Sequence, residues 1–350
     1  MSLEAVVAGV SHQQPVRREL THRAAVAEVF VTSLAAREGG GYLAGAQLPR
    51  MHAYYGDHTG TPARLHDPLL VMETARQASI ALTHEFFGAP LDSAFLVRTF
   101  NGIGVPGAAW ECTPEPTNLV LAVDVPRVHR QAGAVSGLDM VLEIAGPAGP
   151  LMTVDGSFSW TSPDRWARLR GAFRQSLELP PAPGPTVAAE PVPPGTVGRE
   201  NRRNVIVGAP EQLGASAQAG AGGRGAPEHA DATGGAGASP QIGDAVRVPL
   251  AVDPLHPFLF DHHLDHVPGS VLLEAARQSA LTLLNAESAN PQLLSVTSRF
   301  DRFVELDLRT ECRAEIATRT GDLTTVRCVI GQGATAAEID LTFLDGREPG

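Results

Sequence analysis

The chain of 350 residues predicts an α+β fold written twice, each copy a curved antiparallel sheet around one long buried helix. Three observations carry this. First, Glu73 to Thr83 reads ETARQASIALT and Glu274 to Leu284 reads EAARQSALTLL, so one helix recurs at a spacing of 201 residues. Second, the same spacing sets Arg98-Thr99-Phe100 on Arg299-Phe300-Asp301 and Pro68 to Val71 on Gly269 to Leu272, so the flanking loop and strand are duplicated too. Third, both helices are apolar on nearly every face, which demands a partner that wraps around them.

The elements follow in order. Val29-Phe30-Val31 matches Val205-Ile206-Val207 at a spacing of 176, which leaves 25 extra residues in the second copy between this strand and its helix. The helices are expected over residues 69–87 and 270–286. Strands are expected at 118–125, 136–145 and 151–160, and again at 295–306, 311–318, 324–330 and 336–344, where apolar alternation is broken by turn residues. One helix with a following antiparallel sheet is the grammar of a hotdog, so the chain reads as a tandem double hotdog paired as an intrachain pseudo-dimer, complete as a monomer. The boundaries are an N-terminal hotdog over 1–178, a Pro-rich linker over 179–198 and a C-terminal hotdog over 199–346. Residues 211–240, rich in Gly and Ala and without aromatics, read as a disordered insertion.

Composition narrows the function. A net charge of -11 argues against nucleic acid as a partner, because a phosphate backbone needs a basic face. No run of about 18 apolar residues occurs, so no membrane span is expected. Cys112, Cys312 and Cys328 are too widely spaced for a metal site or a disulfide framework and suit a reducing cytoplasm. His256, His262, His263 and His266 with Asp261 and Asp265 could suggest zinc, but they precede Pro268, where no helix sets them on one face, so no metal is expected.

Phe260-Asp-His-His-Leu-Asp-His-Val-Pro-Gly269, followed by Leu272-Leu-Glu-Ala-Ala-Arg-Gln278, resembles the A-factor (γ-butyrolactone) biosynthesis hotdog family of actinobacteria, and His22-Arg23 to Thr32 is similar to that family's opening motif. The resemblance implies a synthase that condenses a β-ketoacyl thioester, carried on the phosphopantetheine of acyl carrier protein, with dihydroxyacetone phosphate. No other cofactor is implied. It puts the family's acidic helix position on Glu73 and Glu274 and its helix arginine on Arg277. Hotdog dehydratases carry their histidine nine residues before the loop glycine, where this chain has Phe260, which argues against dehydration.

The residues support a similar site on their own terms. Gly269 opens a helix whose unpaired N–H groups can stabilise a thioester oxyanion. Its counterpart Pro68 has no N–H, so one working site is expected, built from the second copy's loop and the first copy's Glu73. A glutamate, Glu73 or Glu274, is expected as general base, and Arg277, with Arg302 as a weaker candidate, as the phosphate ligand. Glu73 with Arg76 could equally be a satisfied ion pair, whereas the Pro268-Gly269 loop beside Glu274 and Arg277 favours a functional reading there. His263 and His266 are expected either to line the acceptor pocket or to hold the loop. The competing functions are a non-catalytic acyl- or lactone-binding regulatory module and a hotdog thioesterase or hydratase.

Overall fold

The computed structural model describes residues 9–58, 65–107, 110–213, 245–284 and 291–344. Among the described residues, twelve strands form one continuous sheet in the order β1-β2-β4-β5-β6-β3-β9-β12-β11-β10-β8-β7. The first copy contributes β1 (Val31–Ala36), β2 (Tyr42–Leu48), helix α1 (Pro68–Phe87), β3 (Ala94–Gly104), β4 (Thr117–Gln131), β5 (Ala134–Gly146), β6 (Gly149–Thr161) and helix α2 (Pro163–Ser176). The second contributes β7 (Glu211–Gln212), β8 (Ala245–Pro249), helix α3 (Gly269–Leu284), β9 (Gln292–Phe300), β10 (Glu311–Thr320), β11 (Leu323–Gly331) and β12 (Thr335–Leu344).

The strand order reads the same from both ends once the copies are superposed, which is the double hotdog expected. Its centre is the antiparallel β3–β9 pair, with Thr99 opposite Arg299 and Gly102 opposite Val296. Ser298 tightens the join, accepting from the Phe100 N–H and donating to the Phe100 carbonyl. A Cβ at Gly102 would lie 2.9 Å from the Met72 sulfur of α1, so any larger residue there would push that side chain aside.

Helices α1 and α3 begin 201 residues apart and are buried along most of their length. Buried Ala75, Ala78 and Ala81 in one, and Ala275, Ala276 and Ala280 in the other, lie in the core against the wrapping strands. Expected strand 295–306 ends at Phe300; residues from Asp301 leave the sheet as Val267 N–H bonds to the Val304 carbonyl.

Helix α2 was not anticipated, although its signals are local: Ser162 caps the Arg165 N–H, Pro163 holds the first position and Asp164 sits in the first turn. It crosses to the second copy through buried charges. Arg170 donates to both oxygens of Glu305 (2.6 and 2.9 Å) and to Asp265 (3.0 Å), while Arg174 bonds Glu305 and Asp307. The Pro-rich segment 179–198 is strapped to the second copy, Val187 N–H on the Leu306 carbonyl and Ala189 N–H on that of Leu250. Glu211 and Gln212, expected at the start of the insertion, pair with β8; the rest of that insertion from 214 onward lies outside the described residues.

Candidate active site

Duplication extends to the polar chemistry. In the first copy Glu73 accepts from Arg23, from Arg76 (2.8 and 2.9 Å) and from Gln77 (2.8 Å). In the second, Glu274 accepts from Arg199 (2.8 Å) and Gln278 (2.6 Å) and meets Arg277 in an ion pair at 2.5 Å whose angle falls outside hydrogen-bond geometry. Arg23 and Arg199 are 176 residues apart, the spacing of the opening strands. Gln77 and Gln278 tie each glutamate to that opening segment, accepting from Phe30 N–H and Ile206 N–H respectively.

The opening segment of each copy docks on the loop of the other. Arg23 reaches the Phe258 carbonyl and Asp261 accepts from the Ala24 and Ala25 N–H groups. Equivalently, Arg199 reaches the Tyr54 carbonyl and Asp57 accepts from the Glu200 and Asn201 N–H groups. In both loops a histidine Nδ1 accepts two backbone N–H bonds, His52 from Tyr54 and Tyr55 and His256 from Phe258 and Leu259. These partners align the loops residue by residue at a spacing of 204, which sets His58 on His262.

The copies diverge at the helix N-termini. In the first, Asp67 caps α1 by accepting from Leu69 N–H (2.8 Å) and also accepts from His58 Nε2 (2.9 Å) and Arg277 Nη1 (2.7 Å). Its counterpart at the start of α3 is Pro268, which has no side-chain acceptor, and among the described residues nothing bonds the Gly269 or Ser270 N–H. A cavity of about 1580 Å³ opens beside this bare helix end, with Glu73, Arg76, His262, His266 and Gly269 among its walls and apolar depth supplied by Met72, Phe95, Met140 and Leu272.

Burial pushes the Glu73 carboxyl up, but Arg23 and Arg76 outweigh it and hold the group well below the usual carboxylate range. Glu274 is lowered in the same way by Arg277 and Arg199 after burial. Both therefore stay ionised near neutrality with guanidinium groups against them, which suits them to orienting arginines and not to accepting a proton. Arg277, expected to hold a phosphate, is 4% exposed, binds Asp67 and Glu274, and is not among the cavity-lining residues. Its guanidinium has buried carboxylates on both sides.

His266 lines the cavity, with Nδ1 2.8 Å from Asp265 Oδ1 and its ring against Trp166 and Phe303. Asp265 is in turn held by Arg170 and, despite burial, lies below its ordinary range through the His266 and Arg170 hydrogen bonds. A carboxylate on Nδ1–H leaves Nε2 as an acceptor. His263 and Arg302 are exposed and also line the cavity. Sequence reasoning passed over Arg23 as a site residue and Asp67 as a partner; extending the 176-residue spacing six positions upstream of Val29 would have paired Arg23 with Arg199. No group of three or more potential metal ligands occurs among the described residues, and no described helix is long and apolar enough to cross a membrane.

A duplicated hotdog with an open, partly apolar cavity at an uncapped helix end defines the class of this protein. The chain belongs to the A-factor biosynthesis hotdog family, whose domain matches residues 9–108 and 182–344. It is 30% identical over 335 residues to the 2-oxo-3-(phosphooxy)propyl 3-oxoalkanoate synthase of Streptomyces virginiae, covering 92% of this chain and 98% of that one. It is likewise 30% identical over 343 residues to the Streptomyces coelicolor protein of that name, covering 95% and 91%. A hot dog fold protein from Alicyclobacillus acidocaldarius superposes with a TM-score of 0.47 at 10% identity, over 93% of this chain and 100% of that one.

Proposed function

We propose that the protein is an acyltransferase that moves a β-ketoacyl group from acyl carrier protein to the hydroxyl of dihydroxyacetone phosphate, giving a 2-oxo-3-(phosphooxy)propyl 3-oxoalkanoate of the γ-butyrolactone class of signal precursors. The single observation that carries this reading is the bare N-terminus of α3 beside the Asp265–His266 pair in an apolar-floored cavity. The acyl chain lies against Met72, Phe95 and Met140. The thioester carbonyl meets the Gly269 N–H, where the helix end favours the developing oxyanion.

His266 Nε2 takes the hydroxyl proton as the acceptor oxygen forms its bond to the carbonyl carbon. Collapse of the tetrahedral intermediate breaks the C–S bond, and the same proton passes to the departing thiolate, so the step balances without an added reactant. Glu73 and Glu274 act through the arginines they orient. The carrier-borne substrate suits a reducing cytoplasm, as do Cys112, Cys312 and Cys328, none of which forms a disulfide.

The test is mass spectrometry of products after mixing the full chain with a β-ketoacyl-carrier thioester and dihydroxyacetone phosphate. A phosphorylated β-ketoacyl ester is expected. Free β-keto acid alone would mean a thioesterase, and unchanged thioester a binding protein; either refutes the proposal.

A further inference from the structure

Each half's Arg-Glu-Arg cluster faces the other half's helix N-terminus, giving a sealed copy of the site around Glu274 and Asp67 and an open copy around Glu73 and Pro268, and the two differ by one anion. In the sealed copy Arg199 and Arg277 face Glu274 and Asp67, so two guanidinium groups meet two carboxylates in direct contact. In the open copy Arg23 and Arg76 face Glu73 alone. Asp261 and Asp57, which cap the opening segments in both copies, do not alter that difference.

Each group that holds Asp67 has a counterpart on the cavity wall. Arg277 Nη1 corresponds to Arg76 Nη1, which has no hydrogen-bond partner among the described residues while Nε and Nη2 engage Glu73. His58 corresponds to His262, and the Leu69 N–H to the Ser270 N–H. Arg76, His262 and Ser270 all line the cavity. His262 Nδ1 lies 3.8 Å from Asp261 Oδ2, and burial, with the charges of Arg23 and Arg76, lowers its pKa against the pull of that carboxylate. What the open copy lacks is the carboxylate itself, because Pro268 stands where the first copy has Asp67.

We propose that the open copy binds a phosphate where the sealed copy carries the Asp67 carboxylate, on Arg76 Nη1, His262 and the Ser270 N–H. An internal carboxylate thus marks the position and the donors of a substrate anion. The Arg76 Nη1 donor left without a partner and the bare helix end suit a phosphate monoester. Gly269 N–H, which has no equivalent because Pro68 lacks a hydrogen, is left for the thioester carbonyl, so acceptor and donor bind at neighbouring groups of one helix end. That the monoester is the acceptor's rests on the synthase reading; the anion site itself does not. The other source of the same chemistry is the phosphate of phosphopantetheine.

The test is calorimetric titration of the full chain with inorganic phosphate, dihydroxyacetone phosphate and phosphopantetheine, for the native protein, Pro268→Asp and Arg76→Met. The native chain is expected to bind inorganic phosphate and dihydroxyacetone phosphate, and each variant to lose at least tenfold in affinity for both. Thermal melts report folding, and Arg76→Met decides the matter alone should Pro268→Asp fail to fold. Native-like phosphate affinity in Arg76→Met, or no phosphate binding by the native chain, overturns the site; a preference for phosphopantetheine overturns the acceptor assignment. Product analysis separates the two claims. Variant-sensitive phosphate binding without ester formation would leave the site standing and sink the synthase reading, whereas native rates of ester formation in both variants would do the reverse.

Discussion

Replacing Asp67 by Asn removes one charge from the sealed copy while keeping its shape and its helix cap, since Asn caps a helix about as well as Asp. Asp67 is 3% exposed and Arg277 4%, so the variant leaves a buried guanidinium with Glu274 as its remaining carboxylate and His58 facing an amide. Breaking a buried pair from one side costs about 3–5 kcal/mol, because the surviving charge keeps its desolvation penalty. For a chain of this size that lowers Tm by about 4–7 °C. The pH dependence supplies a second reading. Burial raises the Asp67 carboxyl, but Arg277 and His58 outweigh it and leave it well below the usual range. Its contribution is therefore fully present above about pH 4 and is lost as the pH falls toward the depressed value, so the gap between native protein and variant narrows on acidification. Urea unfolding followed by circular dichroism at pH 7 and pH 3 measures both. A loss below about 1 kcal/mol at pH 7, the size of a surface pair, would refute the argument.

Further expectations concern the open site and the interface. Gly269→Pro copies the first half's Pro68 and removes the N–H assigned to the thioester, so kcat should fall about 10²–10³-fold. Gly269→Ala, which keeps the N–H and brings a Cβ to 3.4 Å from Phe300 and Val97, should retain most activity; equal losses in the two would show that space and not the N–H matters. Glu73→Gln should leave Arg23 and Arg76 facing one another and destabilise the fold by about 3–5 kcal/mol, read as a urea midpoint shift. Burial, with His84 and Arg76, lowers His22 to about 4, so the unfolded chain binds more protons between that value and 6.5. Stability should thus decline by up to about 3 kcal/mol as pH falls through this window, and His22→Phe should flatten that part of the profile. Arg174→Met should leave fully buried Glu305 to Arg170 alone, take the guanidinium from Asp307 and loosen α2 from the second copy, seen as faster amide exchange across 163–176; unchanged exchange would show that Arg170 and apolar packing suffice to hold the helix.

Much of this protein is written locally. The 201-residue spacing of the E-x-A-R-Q helices, their all-round apolar character and the alternating strands after them determine a duplicated helix-and-sheet unit, because periodicity and burial act within a few turns of chain. The cap at Ser162, the Pro68 that lacks an N–H and the Gly269 that keeps one are equally legible from single positions. What tertiary structure alone decided is which charges meet. Arg277 could be read as a phosphate ligand until the fold brought Asp67, 210 positions away in the chain, within 2.7 Å of it. Glu73 could be read as a base until Arg23 arrived from the opening segment and, with Arg76, filled its oxygens. His266 gained its orientation from Asp265, itself fixed by Arg170 of a helix from the other copy. A residue's type determines what it can donate or accept, but burial and partners determine its ionisation, and those come from segments that only folding brings together.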